Sequence, residues 1–345
     1  MRKVLIDVQG TFRRPGAANM GLNMVLQAAA LLAVTVLSPQ DKEKKVAWVE
    51  SLSEAQSSAL SKKRGIILYV QPRGEINPPA AFQDRRVIDA SEEIAVFLRI
   101  RFDEEDPVLA DLRIKGAPVV VAFDYHLNVY GSWAGAPSGS QIAEAASKIP
   151  DWAAANRQQL RQSLNSAINL RDGNDTSGAV RAIQNVLNSG LKGFDEIRQA
   201  QQMLQSLADS VFKKIDAMAA EGKTKEATAQ YRQAGRTFAG TALAAEADVR
   251  LARLHLVAGE TQEAIQQALR ARRAHAKSAP EAAAKVEEFL AKLTAQGIAE
   301  IRRILEEGLK GEPANSRDRL RALAKAYEGT DVSTHAADVL RDLEP

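Results

Sequence analysis

The sequence predicts a mixed α/β sandwich followed by an all-α array, and three observations carry that expectation. Three short apolar runs, "GIILYV" (65–70), "FLRIRF" (97–102) and "PVVVAF" (118–123), have the length and continuous hydrophobicity of strands covered on both faces. Segments with helical spacing lie between them, and that alternation builds a sheet flanked by helices. Beyond Trp152 no strand-like run appears. There Pro280 and Pro313 are the only prolines before the last residue, Ala, Leu, Gln, Glu and Arg dominate, and apolar residues recur with a helical period.

Within the first region the elements come in order. Val46, Val49, Leu52, Ala55 and Ala59 recur at helical spacing from Val46 to Leu60, and "SKKRG" closes that helix with basic residues and a glycine. The strand "GIILYV" comes next, then a loop, a helix containing "DRRVID" (84–89), and the strand "FLRIRF". "PVLADLRI" (107–114) reads as a short helix before "PVVVAF". "HLNVYGSW" (126–133) reads as a strand entered by a turn at Asp124-Tyr125-His126, and after the Pro/Gly/Ser break at 135–140 a helix runs from Gln141 to Ile149.

Composition narrows the function classes. A chain of 345 residues holds two ordinary domains, and 45% hydrophobic with 26% charged residues is a globular balance. There is no cysteine, which removes disulfides, thiolate metal sites and thiol catalysis together. His126, His255, His275 and His335 are widely scattered, so a histidine-built metal site is not expected, and no cofactor is implied. The net charge of +3 sits at the N-terminus: residues 1–38 hold Arg2, Lys3, Arg13 and Arg14 against Asp7, leaving 42 basic and 42 acidic residues in the remainder. A neutral body lacks the electrostatic footprint of a nucleic-acid binder.

Residues 1–40 form a segment of their own. The apolar run "VLQAAALLAVTVL" (25–37) comes after basic residues and ends at Ser38-Pro39-Gln40. As a helix it would span about 20 Å, short of the roughly 30 Å hydrocarbon core of a bilayer. It reads as a signal peptide or a short anchor, so an exported protein, periplasmic or secreted, is expected, touching a membrane only through this segment if it is retained. The alternative is a buried helix of a cytoplasmic protein.

The order of elements in residues 44–152, with their punctuating residues, resembles the thioredoxin fold, in particular the thioredoxin-like branch that begins with a tryptophan-bearing helix. The residues that match are Trp48 and Ala55 in that helix, "GIILYV" as central strand, Phe82 with "DRRVID", Asp103 after "FLRIRF", "IKGAPVVVAFD" (114–124), and Gly135 after the last strand. The resemblance implies a cis-proline at Gly116-Ala117-Pro118, before a strand that faces the active site. By itself Pro118 reads as a trans proline opening a strand, and only the flanking family pattern points to cis.

The family's redox motif, C-x-x-C at the start of the helix after the central strand, falls here near Glu75 and Pro78, so the resemblance implies a member without redox activity. Glu75 is expected to cap the amides of the following helix, and Pro78 with Pro79 to suit its first turn. What the resemblance leaves is a groove beside Pro118, edged by a strand able to pair with an extended peptide, with Trp133 and Tyr69 either lining it or packing in the core.

In residues 153–345 the pattern A-x-x-x-L-x-x-L occurs at Ala200/Leu204/Leu207, at Ala247/Leu251/Leu254 and at Ala336/Leu340/Leu343, with a looser copy at Val286/Leu290/Leu293. "FAGTALAAEADVRLARL" (238–254) and "YEGTDVSTHAADVLRDL" (327–343) share an aromatic, a glycine, a threonine, an alanine and both leucines, which places Thr241 and Thr330 as helix N-caps. "EGKTKEATAQY" (221–231), "AGETQEAIQQAL" (258–269) and the weaker "DGNDTSGAVRAI" (172–183) are turn-and-helix pieces of a second kind. The arrangement resembles tetratricopeptide repeats, although the unit spacing drifts through 47, 39 and 50 residues, so divergent helical hairpins stacked into a solenoid are expected. "LRARRAHAK" (269–277) reads as a solvated helix face, "APEAAAKVEEFLAKL" (279–293) as a freestanding helix, and "GEPANS" (311–316) as a loop.

Together these readings point to a non-catalytic binding or scaffolding protein with a protein or peptide partner, its candidate groove formed by Pro118, Glu75, Pro78 and Trp133. The alternative is a non-redox hydrolase or isomerase with Glu75 and Asp124 facing a cleft between the two regions. A third reading is self-assembly through the helical array.

Overall fold

The computed structural model describes residues 44–276, 280–309 and 313–343. The expected signal peptide or anchor, residues 1–40, lies outside them. No described helix is long and apolar enough to cross a membrane.

The apolar runs pair into a five-stranded sheet of β1 (Trp48–Val49), β2 (Gly65–Gln71), β3 (Ala95–Arg101), β4 (Val119–Phe123) and β5 (Val129–Ala134), in the order β1-β3-β2-β4-β5. β2 runs parallel to β3 and antiparallel to β4, so the sheet is mixed, as expected. Every residue of β2 is buried, which is why its sequence reads as an unbroken apolar run. β5 lies at the edge and carries the more exposed, less apolar sequence VYGSWA.

One expected helix starts later than its apolar spacing indicates. Trp48 is not helical: it lies in β1, paired with Phe97. Helix α1 (Leu52–Lys62) begins only after Ser51, whose hydroxyl accepts the Glu54 N–H. A side-chain acceptor for an otherwise orphaned amide fixes a helix start more strongly than the spacing of two upstream valines. Downstream, Asp84 caps α2 (Arg85–Glu93) and Asp106 caps α3 (Pro107–Asp111), each accepting a backbone N–H two residues on.

Helix α4 (Gly139–Asp172) outruns the expected segment, which ends at Ile149. It opens on a capping box between Ser138 and Gln141 and then continues through Pro150 and Trp152. A proline inside a helix costs about 3 kcal/mol. Burial on both sides offsets it, since each large apolar side chain contributes about 1.5–3 kcal/mol. Ile142, Ala145, Ala146 and Ile149 lie against one face of the sheet, while Ala153, Leu160, Leu164 and Ala167 join the helices beyond.

After α4 come α5 (Thr176–Leu187), α6 (Asp195–Ala220), α7 (Thr224–Thr237), α8 (Ala242–Val257), α9 (Thr261–His275), α10 (Pro280–Leu309), α11 (Pro313–Ala326) and α12 (Asp331–Asp342). Each packs on a chain neighbour, and α4 with α6, α5 with α7, α6 with α8 and α8 with α10 also touch. The repeated alanine and leucines are buried in α6 and α8, and Val286, Leu290 and Leu293 are buried in α10, whereas in α12 only Ala336 is. Helix α10 is therefore not freestanding: its apolar face packs on α8 and α9. Pro313 to Ser316, expected in a loop, open α11, because proline suits a first helical turn. Thr241 caps α8 by accepting the Leu243 N–H, but the hydroxyl of Thr330 only donates backwards to the Tyr327 carbonyl.

The core is continuous from sheet to helices. One cluster joins Ile66, Leu68, Val121 and Phe123 to Phe194, Leu204, Phe212 and Leu251, and a second fills the opposite sheet face. Helix α8 gives one side to the first cluster and, through Ala245, Val249 and Ala252, another to a third that extends to α12. The helix still keeps one charged stripe, with Glu246 and Arg250 half-buried and Arg253 exposed.

At the start of α6 a charged group is drawn into the junction with α4. Glu196 is 3% exposed and accepts from Arg157 Nε (3.1 Å) and Arg161 Nε (2.6 Å). Burial pushes its carboxyl up, but hydrogen bonds from Arg161, its own backbone and Arg157, with the charge of Arg157, outweigh burial and hold it below its ordinary value of 4.5. A depressed carboxylate gives stability that is present above that ordinary value and is lost as pH falls through the folded one. Glu196→Gln should lower unfolding stability at neutral pH by about 1–3 kcal/mol, and in urea melts it should flatten the loss of stability seen on acidification below about pH 4.5.

Candidate functional site

The loop after β2 is held by its own strand. The Tyr69 ring packs between Trp48 (centroids 6.3 Å apart) and Phe82 (5.1 Å). Its hydroxyl donates to the Glu75 carboxylate, and the Gln71 side chain donates to the Glu75 carbonyl (2.6 Å). Burial first, then the bond and the charge of Glu75, push the Tyr69 phenol well above its ordinary value. Glu75 is therefore not a helix cap. A phenol at the end of a buried strand requires an acceptor, and Glu75 supplies it. The loop leads into a short 3-10 turn (Ala80–Gln83) with Pro79 at its N-cap position, leaving Pro78 outside any helix.

The Ala117–Pro118 peptide is cis. Pairing of Val70 with Val119 places Pro118 beside Gln71, the residue that anchors the Glu75 loop. Pro118 is exposed, and its carbonyl accepts the Gly135 N–H (2.8 Å). Tyr69 pairs with Val120 and Val120 with Trp133, so these three form a row across β2, β4 and β5. Trp133 is half-buried against the second core cluster. The structure thus brings Glu75, Tyr69, Gln71 and Pro118 to one end of the sheet and places Trp133 on the edge strand beside them.

Asp124 has a different task from the one expected of it. It is fully buried, and its carboxylate accepts the His126 N–H (2.8 Å), the Asn128 N–H (2.9 Å) and Asn128 Nδ2 (2.8 Å). These bonds hold the 124–128 turn shut, because a buried carboxylate must have its acceptor sites filled. The Asn128 carboxamide then reaches the loop between α5 and α6: Oδ1 accepts the Lys192 N–H (2.7 Å) and Nδ2 donates to the Lys192 carbonyl (3.1 Å).

Beside that pair the His126 ring meets Phe194 edge-on, with centroids 4.8 Å apart. Gly193 has φ +78°, and a Cβ there would lie 2.3 Å from His126 Nδ1, so glycine is required on both counts. Burial, opposed by the charge of Asp124 and helped by that of Arg157, lowers the His126 pKa below 6.5.

The Asn128–Lys192 pair lies in one wall of a cleft of about 780 Å³. Leu127 to Val129 line it from the turn and the start of β5, and Trp152, Asn156, Gln159, Leu160 and Ser163 from one face of α4. Asn185 and residues 189–192 line the third side. Of the described side chains around it, Lys192 alone is charged, and neither Glu75 nor Asp124 takes part. The Trp152 ring stands edge-on to Tyr130 at 5.7 Å. Sequence reasoning placed no site here, since its polar groups come from segments distant in the chain and match no motif. The helical spacing of residues 152, 156, 159, 160 and 163 was the available signal. Compared with known proteins, the chain matches no family model and no curated sequence.

The junction between the 124–128 turn and the α5–α6 loop can be tested at two side chains. Asn128→Ala should cost about 2–3 kcal/mol, from several hydrogen bonds each contributing about 1 kcal/mol, and should raise the hydrogen-exchange rate of the Lys192 amide. A histidine with a depressed pKa stays neutral in the folded state while the unfolded chain binds a proton, so stability falls as pH drops below 6.5. His126→Phe should remove that slope in melts between pH 7 and 5, with the Phe194 contact retained.

Proposed function

We propose that the chain is a non-catalytic binding protein: a redox-inactive thioredoxin-like domain continued into tetratricopeptide-like helical hairpins, taking a polypeptide partner in extended form. The observation that carries this reading is the edge strand β5, with Trp133 on it and the cis Pro118 beside it. The outer amides and carbonyls of an edge strand find no partner within their own sheet, and an added strand satisfies them. The strand order and the position of Pro118 next to the Glu75 loop agree with the thioredoxin-like resemblance. Thiol–disulfide exchange requires an attacking thiolate, and the chain has no cysteine to provide one. In this reading residues 1–40 direct export.

A peptide array probed with the full chain, followed by fluorescence-polarisation titration of the peptides that respond, tests the proposal. Dissociation constants on the order of micromolar are expected, and a proline placed mid-peptide should weaken binding about tenfold by removing a donor and breaking the added strand. Binding that is indifferent to such prolines, or no peptide binding above an unrelated helical protein, overturns it.

A further inference from the structure

We infer that β5 takes an added strand only along residues 131–134, through the main chain of Ser132 and Ala134, and that this edge selects an extended segment with a β-branched or aromatic residue opposite Trp133. The inference rests on the function proposed above and adds where the segment binds and what it must carry.

The pairing of β4 with β5 decides which main-chain groups are free. Residues facing each other in an antiparallel pair alternate between exchanging hydrogen bonds and not. The Gly135 N–H donates to the Pro118 carbonyl, so further along the strands the facing pairs Val120/Trp133 and Ala122/Gly131 are the bonded ones. The pairs between them, Val119/Ala134 and Val121/Ser132, are not. Ser132 and Ala134 therefore turn N–H and C=O away from the sheet, and both residues are exposed. Among the described residues nothing bonds to these groups. Donor and acceptor pairs about 7 Å apart along an extended chain are matched in kind and spacing by the main chain of another strand.

Both ends of this edge are closed. Ala122 faces Gly131 and Phe123 faces Val129, so Tyr130 is an extra residue in β5, a bulge. A bulge ends regular pairing, and the Tyr130 ring stands edge-on to Trp152. At the other end Gly135 has φ +84°, a left-handed conformation that leaves the strand. Between these ends the edge has none of the residues that make a strand refuse partners: VYGSWA contains no lysine, carboxylate or proline. The opposite edge, β1, is blunted by being two residues long.

Selectivity follows from the central position. Trp133 ends the row Tyr69–Val120–Trp133, flanked by Val120 on one side and by no strand on the other. Its ring packs against the second core cluster and over Gly131, where a Cβ would come within 3.0 Å of it. On its outer side Trp133 lies at a non-bonded position, where facing side chains of antiparallel strands come closest. Aromatic–aromatic and aromatic–β-branched pairs are favourable there. Ser132 and Ala134, small and exposed, make no such demand. A second copy of the chain is the competing occupant. A four-residue edge by itself buries far less than the roughly 1,200 Å² of a stable interface, which suits capture of a short segment better than a stable dimer.

The test titrates the full chain, by fluorescence polarisation, with fluorescein-labelled heptapeptides Gly-Thr-Ser-X-Ser-Thr-Gly. With X as Ile or Phe, binding should be at least about fivefold tighter than with X as Gly or Asp. N-methylation of either residue next to X removes a donor aimed at β5 and should weaken binding about tenfold. N-methylation of X itself, whose N–H points away, should leave binding within about twofold. Ser132→Pro deletes the matching donor on the protein, at an edge position that tolerates proline, and should lower affinity about tenfold with the melting temperature kept. The methylated peptides read the same bonds without altering the protein.

Peptide binding that ignores X, ignores the position of the methyl group or survives Ser132→Pro would place the added strand elsewhere, sinking this inference while leaving the proposed function standing. A dimer in light scattering that Ser132→Pro dissociates would give the edge to a second copy, with the same result. A parent chain that binds none of the peptides would overturn both.

Discussion

A buried carboxylate that must be satisfied sets the relation between the sheet and the helices. Asp124 sits at zero exposure, and the three donors that neutralise its acceptor demand all come from the four residues after it. Closing the turn in this way fixes the Asn128 side chain, which is then free to use its remaining donor and its acceptor on Lys192. The turn therefore has a double role: it ends β4, and it offers the helical region a rigid polar hook. Tyr125, His126 and Phe194 pack beside the hook.

Two helices extend this local constraint through the chain. Helix α4 lies on the sheet with its first half and on α5 and α6 with its second. Helix α8 lies between two cores. Glu196 joins α4 to α6, a buried charge kept tolerable by hydrogen bonds from two guanidinium groups and its own backbone.

Much of this was legible from residue pattern alone. The three apolar runs became the three central strands, and the recurring alanine and leucine spacing marked buried helix faces, because periodicity reports burial and burial dominates element formation. Pattern failed where a single side chain decided the outcome. Ser51 moved the first helix start and left Trp48 in a strand. Tyr69 captured Glu75, which the family resemblance had led us to expect at a helix cap. The helix expected to end at Ile149 instead runs through Pro150, because the surfaces packed on either side of it carried α4 onward for about six turns. Asp124 looked available for chemistry because nothing in a linear sequence shows that Asn128 and two backbone amides would saturate it. The cleft was the least legible feature, since Asn128, Asn156, Asn185 and Lys192 come from separate segments that meet only in the fold.

The continuity of α4 ties the two regions together by angle as well as by contact. An α-helix advances about 1.5 Å and turns about 100° per residue, so adding or removing one residue between Ile149 and Ala153 would swing everything beyond it by more than a quarter of a revolution. Asn128 would then face away from Lys192, and Gly193 would no longer lie under the imidazole. Length changes that preserve this packing are accordingly confined to loops, and a recombinant boundary drawn at Trp152 would sever a shaft, not a linker.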